Sequence, residues 1–529
     1  MFVTASFVGV TTLVCAIFFA LVRPLAIYVW DSKDLRRFPS ASAWGIPGWA
    51  GWSNFWLARA IAKQAKSQSV LDAHEKYGPI VRIQPDHLSF SDGEAAKTIY
   101  GFQSRMPKGS FYESIGDEDA HGRIQKNLVT TDDREEHQRK RKYVSNAFAL
   151  KNILAMEPVI TRRLGVLIKC LDNQREALQA DNGQLDLYRW INYFLYDTSA
   201  ELTFGETLGL CDKGNDALET LPFDGSPGSR VEGIETFQSA GSYVAMFSPW
   251  PSLAQKLRKL TSWHRDASKG KKFAEAVHGY LQQRLKRGDT PEFRDFVSYL
   301  LQDSYQKPRD LEYAELLGET FVIFGSAIDL VATVATNAMY HLIKNPECMR
   351  KLRDELDGAL GDTLVPTNDQ ICRLPYLRAA FDEATRDRPP IAHGLARTVP
   401  EGGATISGHF IKAGTTVSVS AFALHHNASI FPEPSAFRPE RWLDPNADPL
   451  WKECLVPFSL GPRACTGRNL TFTLIPLLMA TLVRRYDFEL PSPDWEMEWR
   501  EPLNMNPTSL PVKMKIRDFK TKEVKGNDS

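Results

Sequence analysis

The chain is short of cysteine and of any surplus of one charge. Seven cysteines are spread over 529 residues, too sparse and odd a set for the disulfide framework of a secreted scaffold. They read as reduced thiols, one of which is available as a metal ligand. Basic and acidic residues number 64 each, so nothing points to nucleic acid as a bulk electrostatic partner. Internal repeats and low-complexity tracts are missing, and glycine (34) and proline (32) stay at ordinary levels. That excludes disordered and collagen-like chains.

What is present begins with an uncharged run over residues 2–22, FVTASFVGVTTLVCAIFFALV. As a helix it would span about 30 Å, enough to cross a bilayer core. Its apolar stretch is longer than a signal peptide's, and no basic segment precedes it. Lys33, Arg36 and Arg37 follow it, which places the body on the cytoplasmic side. The expectation is a retained transmembrane anchor at 2–22 and a Pro/Gly/Trp-rich hinge at 23–52. A catalytic body over 53–519 and a polar tail at 520–529 complete the chain.

Within the body, YGPIVRIQPDHLSFSD alternates apolar and polar residues around turn formers and predicts a hairpin. Helical periodicity dominates from Asp132 to about Leu210 and, after a loop at 221–230, onward to Arg287. Between Pro308 and Pro346 the chain is apolar on nearly every side, the mark of a long helix buried through a large protein. Helices are also expected from Pro346 to Leu360, from Leu374 to Asp387 and from about Gly467 to Arg485, with paired strands in TISGHFIKAGTTVSVSAF. One large, mainly helical domain with a minor sheet accounts for this pattern. Phe247, Pro249, Trp250 and Pro251 form an apolar cluster suited to dipping into a membrane.

The most informative stretch is FSLGPRACTG, in which Phe458, Gly461, Arg463, Cys465 and Gly467 fall in order before the last apolar helix. A helix N-terminus, backbone N–H groups and Arg463 would all favour a thiolate at Cys465. Gly461 and Gly467 would let the backbone approach a flat ligand, and Arg463 could pair with a carboxylate on it. A lone cysteine is ordinarily a buried structural residue. This pattern, F-x-x-G-x-R-x-C-x-G, closely resembles the haem-binding signature of the cytochrome P450 family.

Further motifs follow the same family in order. Glu383-Ala-Thr-Arg386 matches its E-x-x-R, and FRPERW supplies Arg441 as the third member of a Glu–Arg–Arg network that would brace the cysteine loop. His137 and Arg141 sit at i, i+4, similar to the family's W-x-x-x-R with His in place of Trp. Arg397 and His425 fall where the family contacts haem carboxylates. The resemblance covers nearly the whole chain. Within the family it is nearest filamentous-fungal members, benzoate 4-monooxygenase-like, pisatin-demethylase-like and those of secondary-metabolite pathways.

The resemblance breaks in the long helix. Ser326-Ala327-Ile328-Asp329-Leu330-Val331 keeps the family's acid but replaces both hydroxyl positions by aliphatic residues. Thr333, one turn beyond Asp329, is the nearest downstream alcohol, and Ser326 is a second stand-in. A buried acid here needs a partner, water or a job, so it either delivers protons or anchors the helix through a distant cation. Thr466 replaces the apolar residue usual after the cysteine, and its hydroxyl near sulfur would raise the reduction potential.

The resemblance implies a mainly α fold with a minor β-sheet region and a single N-terminal transmembrane helix. It implies haem b held by the Cys465 thiolate, which favours O–O cleavage. Electrons would come from NADPH through a separate NADPH-cytochrome P450 reductase, since no G-x-G-x-x-G or flavin-binding segment is found. One oxygen atom from O2 would enter a lipophilic small molecule at the endoplasmic reticulum membrane. Substrate contacts are expected from 106–131, 324–330, 390–395 and 503–510. The replaced hydroxyls motivate a rival, a haem-thiolate isomerase, lyase or oxidative cyclase. A non-catalytic haem-binding protein is the third reading.

Overall fold

The computed structural model describes residues 22–42, 46–115, 117–118, 124–180, 183–289, 292–303 and 305–517. The anchor expected at 2–22 lies outside them except for Val22, as does the tail 520–529. Among the described residues one helix is long and apolar enough to cross a membrane, Tyr313–Lys344. Most of it is buried inside the protein, so it is a core helix.

That helix runs 32 residues, about 48 Å at 1.5 Å per residue. The helix Leu187–Phe204, buried along nearly its whole length, packs on it. Phe324, fully buried, sits at their junction within 5.5 Å of Phe204, 5.9 Å of Tyr196 and 6.1 Å of Phe273, centroid to centroid. Aromatic packing of this kind adds to plain area burial. Lys344 ends the helix, and Pro346 starts the next, Pro346–Leu360. Proline fits there because a first-turn N–H has no partner to lose. Pro375 likewise opens Pro375–Asp387, which stops before Pro389 and Pro390. The last helix is Arg468–Arg485.

The sheets lie to one side of this helical core. Ile80–Gln84 and His87–Phe90 form the expected antiparallel hairpin. Thr416–Val419 adds parallel to His87–Phe90, and Arg397–Thr398 pairs on its far side. Ala404–Ile406 and His409–Ile411 make a second hairpin. Its turn, Ser407-Gly408, has positive φ at both residues (46° and 76°), the twist a two-residue hairpin prefers. Near the C-terminus Trp499–Arg500 pairs with Asn506–Pro507, and the connecting loop reaches back to the long helix.

The hinge is not a free linker. Leu35, Phe38, Ala41 and Ala50 are buried, and Ser40 bridges to Arg82 of the first strand. The apolar cluster near Trp250 needs a correction too. Phe247 is buried against Tyr243 of its own helix and Ala254 of the next, Pro251–Leu260. The exposed apolar side chains nearby are Met246, Leu253, Leu260 and Trp263.

Candidate functional site

Cys465 closes its own loop: its backbone N–H donates to the Phe458 carbonyl at 2.8 Å. Phe458 is pinned by Phe472 of the last helix, ring centroids 5.3 Å apart. Burial pushes the Cys465 thiol up, while the Gly467 and Arg468 N–H groups and the Arg141 charge oppose that rise. The expected thiolate-favouring groups are therefore partly in place, with Arg141 and Arg468 rather than Arg463 as the cations. The thiol is accessible although protein surrounds it on all sides, so it presents an internal surface.

Gly461 has a need of its own within the fold. Its φ is +67°, and an added Cβ would stand 2.2 Å from the Tyr100 carbonyl oxygen. The glycine allows the close approach of the 100–101 backbone. Gly467 would place a Cβ 3.7 Å from the Cys465 sulfur, an ordinary contact.

The basic residues converge. Arg141 Nη1 donates to the carbonyl of Ala464, directly before the cysteine, at 2.6 Å. Arg463 donates to the Thr131 and Asp132 carbonyls at 3.3 and 3.1 Å. Arg397, buried, donates to the Tyr112 hydroxyl at 3.2 Å. His137 is buried on the Arg141 helix. Burial and then the charges of Arg463, Lys108, Arg141 and Arg397 hold it down to about 3, so it is neutral at working pH.

Lys108 is the member that sequence reasoning missed. It is buried, donates to the Leu128 and Val129 carbonyls at 3.1 and 2.6 Å, and bridges Arg397 through the backbone. Burial, with Arg463 and Arg397 adding, pushes it down to about 6. Nothing in Met106-Pro107-Lys108-Gly109 signals this, because the partner strand is remote in sequence.

His425 does not belong to this cluster. Its Nδ1 donates to the Arg386 carbonyl at 3.1 Å, and its Nε2 accepts from the Val456 N–H at 3.0 Å. With both nitrogens used and the ring fully buried, it has no donor left for a haem carboxylate. It joins the Arg386 helix to the chain leading into the cysteine loop.

Glu383, Arg386 and Arg441 do meet. Arg386 makes a two-pronged pair with Glu383 at 2.9 and 3.0 Å, and Arg441 Nε lies 3.5 Å from the same carboxylate. Trp442 Nε1–H donates to it as well, at 2.9 Å. Arg386 also donates to the His425 carbonyl and Arg441 to the Pro432 carbonyl. All three charged residues are buried, where an ion pair holds only if such extra hydrogen bonds satisfy it.

Asp329 is buried in the long helix and accepts from Asn504 Nδ2 at 2.9 Å. Burial raises its carboxyl to about 6, opposed by hydrogen bonds from Asn504, Gln238 and Asn506. Among the described residues no cation pairs with it. The contact brings together two segments expected to line the substrate site, 324–330 and 503–510. The Thr333 hydroxyl, fully buried, faces the Met505 carbonyl at 3.0 Å and Asn506 Oδ1 at 2.9 Å.

A haem fits these residues. Lys108, Arg141, Arg397 and Arg463 have no carboxylate within ion-pair distance among the described residues, and burial with mutual repulsion depresses Lys108 and Arg463. A group bearing two carboxylates would satisfy them. Among the described residues no three or more His, Cys, Asp or Glu gather as a metal cluster. A metal taken by Cys465 must therefore bring its other ligands with it, as a porphyrin does.

A mainly helical fold, an inward thiol on a braced loop and acid-free cations beside it define a haem-thiolate protein. The family model for cytochrome P450 matches residues 46–514, and the chain belongs to that family. It is 32% identical over 486 residues to a benzoate 4-monooxygenase of Aspergillus niger, covering 89% of this chain and 92% of that one. A cytochrome P450 monooxygenase of Penicillium crustosum is 31% identical, with 83% and 84% covered. An averantin hydroxylase of Dothistroma septosporum is 27% identical, with 88% and 83% covered. The chain is thus an oxidoreductase of the monooxygenase type.

Proposed function

We propose that the protein hydroxylates a lipophilic small molecule of fungal secondary metabolism at the endoplasmic reticulum, using NADPH electrons passed on by a separate reductase. The observation that carries this reading is the inward Cys465 thiol beside three arginines and a buried lysine that lack acid partners. Haem would supply oxygen activation there, which a thiolate ligand promotes. Cys465 would be its protein ligand. Arg397, Arg141, Arg463 and Lys108 would hold its carboxylates, with neutral His137 as a further donor. Glu383, Arg386 and Arg441 fix the loop and do no chemistry.

Asp329 is a buried acid with no cation beside it among the described residues. With its carboxyl raised to about 6, it exchanges a proton near neutral pH, as general acid–base work requires. Asn504 orients it. Leu330 and Val331 offer no hydroxyl, and Thr333 is turned toward Met505 and Asn506. The second partner in proton transfer is therefore Ser326, a water or a substrate hydroxyl.

The test is a reduced carbon-monoxide difference spectrum of the membrane protein, with Cys465→His alongside. The expected result is a thiolate-type Soret band that moves to the histidine-type position in the variant. A histidine-type band in the unaltered protein overturns the ligand assignment. Product formed with reductase and labelled O2 must then carry one labelled oxygen. Turnover that needs no reductase favours the isomerase or lyase reading.

A further inference from the structure

A cavity of about 580 Å³ opens between the first sheet and the segment around Trp250. Lys66, Arg82, Phe111, Trp250, His393 and Ala396 are among its walls. It adjoins the basic cluster, because Ala396 precedes Arg397 and Phe111 precedes Tyr112, the partner of Arg397. The ring of Phe111 lies 5.5 Å from Tyr112 and 5.7 Å from His393.

The polar groups in these walls are short of partners. Arg82 is 1% exposed, its Nε donates to the Pro85 carbonyl at 3.0 Å, and its Nη1 has no hydrogen-bond partner. His393 is 5% exposed, and its Nδ1 stands 3.8 Å from Glu501 Oε1. Lys66 has its ammonium 5.5 Å from the Phe111 ring and no carboxylate within ion-pair distance among the described residues. The acid behind it, Glu501, is taken up elsewhere. It accepts from the Ser67 N–H at 2.6 Å and the Ser67 hydroxyl at 2.7 Å, and stands 3.8 Å from His393. Burial pulls Lys66 down to about 8, against the pull of Glu501, so it is still mostly charged at pH 7.

Other charges near the cavity are compensated or exposed. Lys33 pairs with Asp86 at 3.7 Å, and Asp31 with Arg36 at 3.3 Å. Glu113 is exposed. His87 is held down to about 3 by burial and Lys66, and its Nε2 is engaged by Ser418 at 2.8 Å. A half-buried cation without a close acid partner, in a partly aromatic cavity, matches an anionic head on an apolar body.

The geometry points to a carboxylate-recognition site: this cavity takes a lipophilic carboxylic acid, with Lys66 holding the acid group. The inference rests on the monooxygenase reading, since it makes that acid the substrate class. A phosphate headgroup of a membrane lipid shares the anionic chemistry, and the experiment separates the two.

The full-length holoprotein is titrated by calorimetry with octanoate and with octan-1-ol, as unaltered protein, Lys66→Met and Lys66→Arg. Methionine keeps the stem and removes the charge, so the fold has little to lose. The expected result is at least tenfold preference for octanoate, lost in Lys66→Met and kept in Lys66→Arg. Equal affinities in the unaltered protein, or a preference that survives Lys66→Met, overturn the site. Vesicles of phosphatidylcholine with and without phosphatidic acid form the second arm. Phosphatidic acid dependence lost in Lys66→Met, without octanoate preference, assigns the cavity to lipid and overturns the substrate class. The carbon-monoxide spectrum of the same samples keeps the readings apart. A thiolate band without octanoate preference sinks this site alone. Octanoate preference without that band sinks the monooxygenase reading.

Discussion

Asp329 sits where an ionised carboxylate is poorly solvated, and its only described partners are neutral amides. Its carboxyl is raised from 3.8 to about 6. A raised acid binds its proton more tightly in the folded state, so stability falls as pH rises from about 4 and levels off above 6. Two units correspond to about 3 kcal/mol in full, of which roughly 1 kcal/mol develops between pH 5 and pH 7.5. Asn at this position removes the titration and keeps a hydrogen-bonding amide. Asp329→Asn is therefore expected to gain about 1 kcal/mol relative to the unaltered protein between those pH values, read by denaturant unfolding. The same variant is expected to uncouple NADPH oxidation from product, because the proton store is gone. A pH-independent stability difference would mean that the carboxyl is already ionised, and the proton-store role would fall with it.

At the scale of elements, the cysteine loop is fixed from three sides: Arg141 on the Ala464 carbonyl, Phe458 on Phe472, and Gly461 against the 100–101 backbone. Gly461→Ala meets both a left-handed φ and a Cβ 2.2 Å from a carbonyl oxygen, which costs at least about 1–2 kcal/mol and displaces the loop. Gly467→Ala meets only ordinary contacts. Haem content per polypeptide after purification should drop severalfold in Gly461→Ala and little in Gly467→Ala; equal retention would remove the loop argument. The helices around this loop were legible because their signals are local. Pro346 and Pro375 mark helix starts, and apolar residues on every side mark Tyr313–Lys344. The same holds for the cysteine motif and for the Glu383–Arg386 pair, which lie within single segments. Lys108 was not legible, since a backbone bridge to Arg397 places it. Neither was the fate of His425, whose two nitrogens are consumed by groups at Arg386 and Val456 that no spacing rule connects. Gly461 shows a subtler limit: the sequence marks the glycine, but only the fold shows which backbone needs the space.

For the molecule as a whole, balanced charge hides a local imbalance. The 64 basic and 64 acidic residues cancel in sum, and many surface lysines and arginines do pair, as Lys97 with Glu453 and Arg350 with Glu347 show. Such exposed pairs contribute little to stability. Around the cysteine loop, by contrast, Lys108, Arg141, Arg397 and Arg463 are gathered without acids, and burial lowers Lys108, Arg141 and Arg463 in turn. Folding the polypeptide alone must bear that repulsion and desolvation, and an anionic group bound there offsets both. Haem removal is then expected to lower the melting temperature by more than the loss of apolar contact explains. It should also leave a protein that divalent anions rescue. In 50 mM sulfate, the haem-free form should gain several degrees over a sodium chloride control of matched ionic strength. The haem-loaded form, with its cations already engaged, should hardly move, so the solvent effect of sulfate on burial cancels in the comparison. An equal gain in both forms would show that the cluster is screened by solvent and that haem carboxylates are not what it was built to hold.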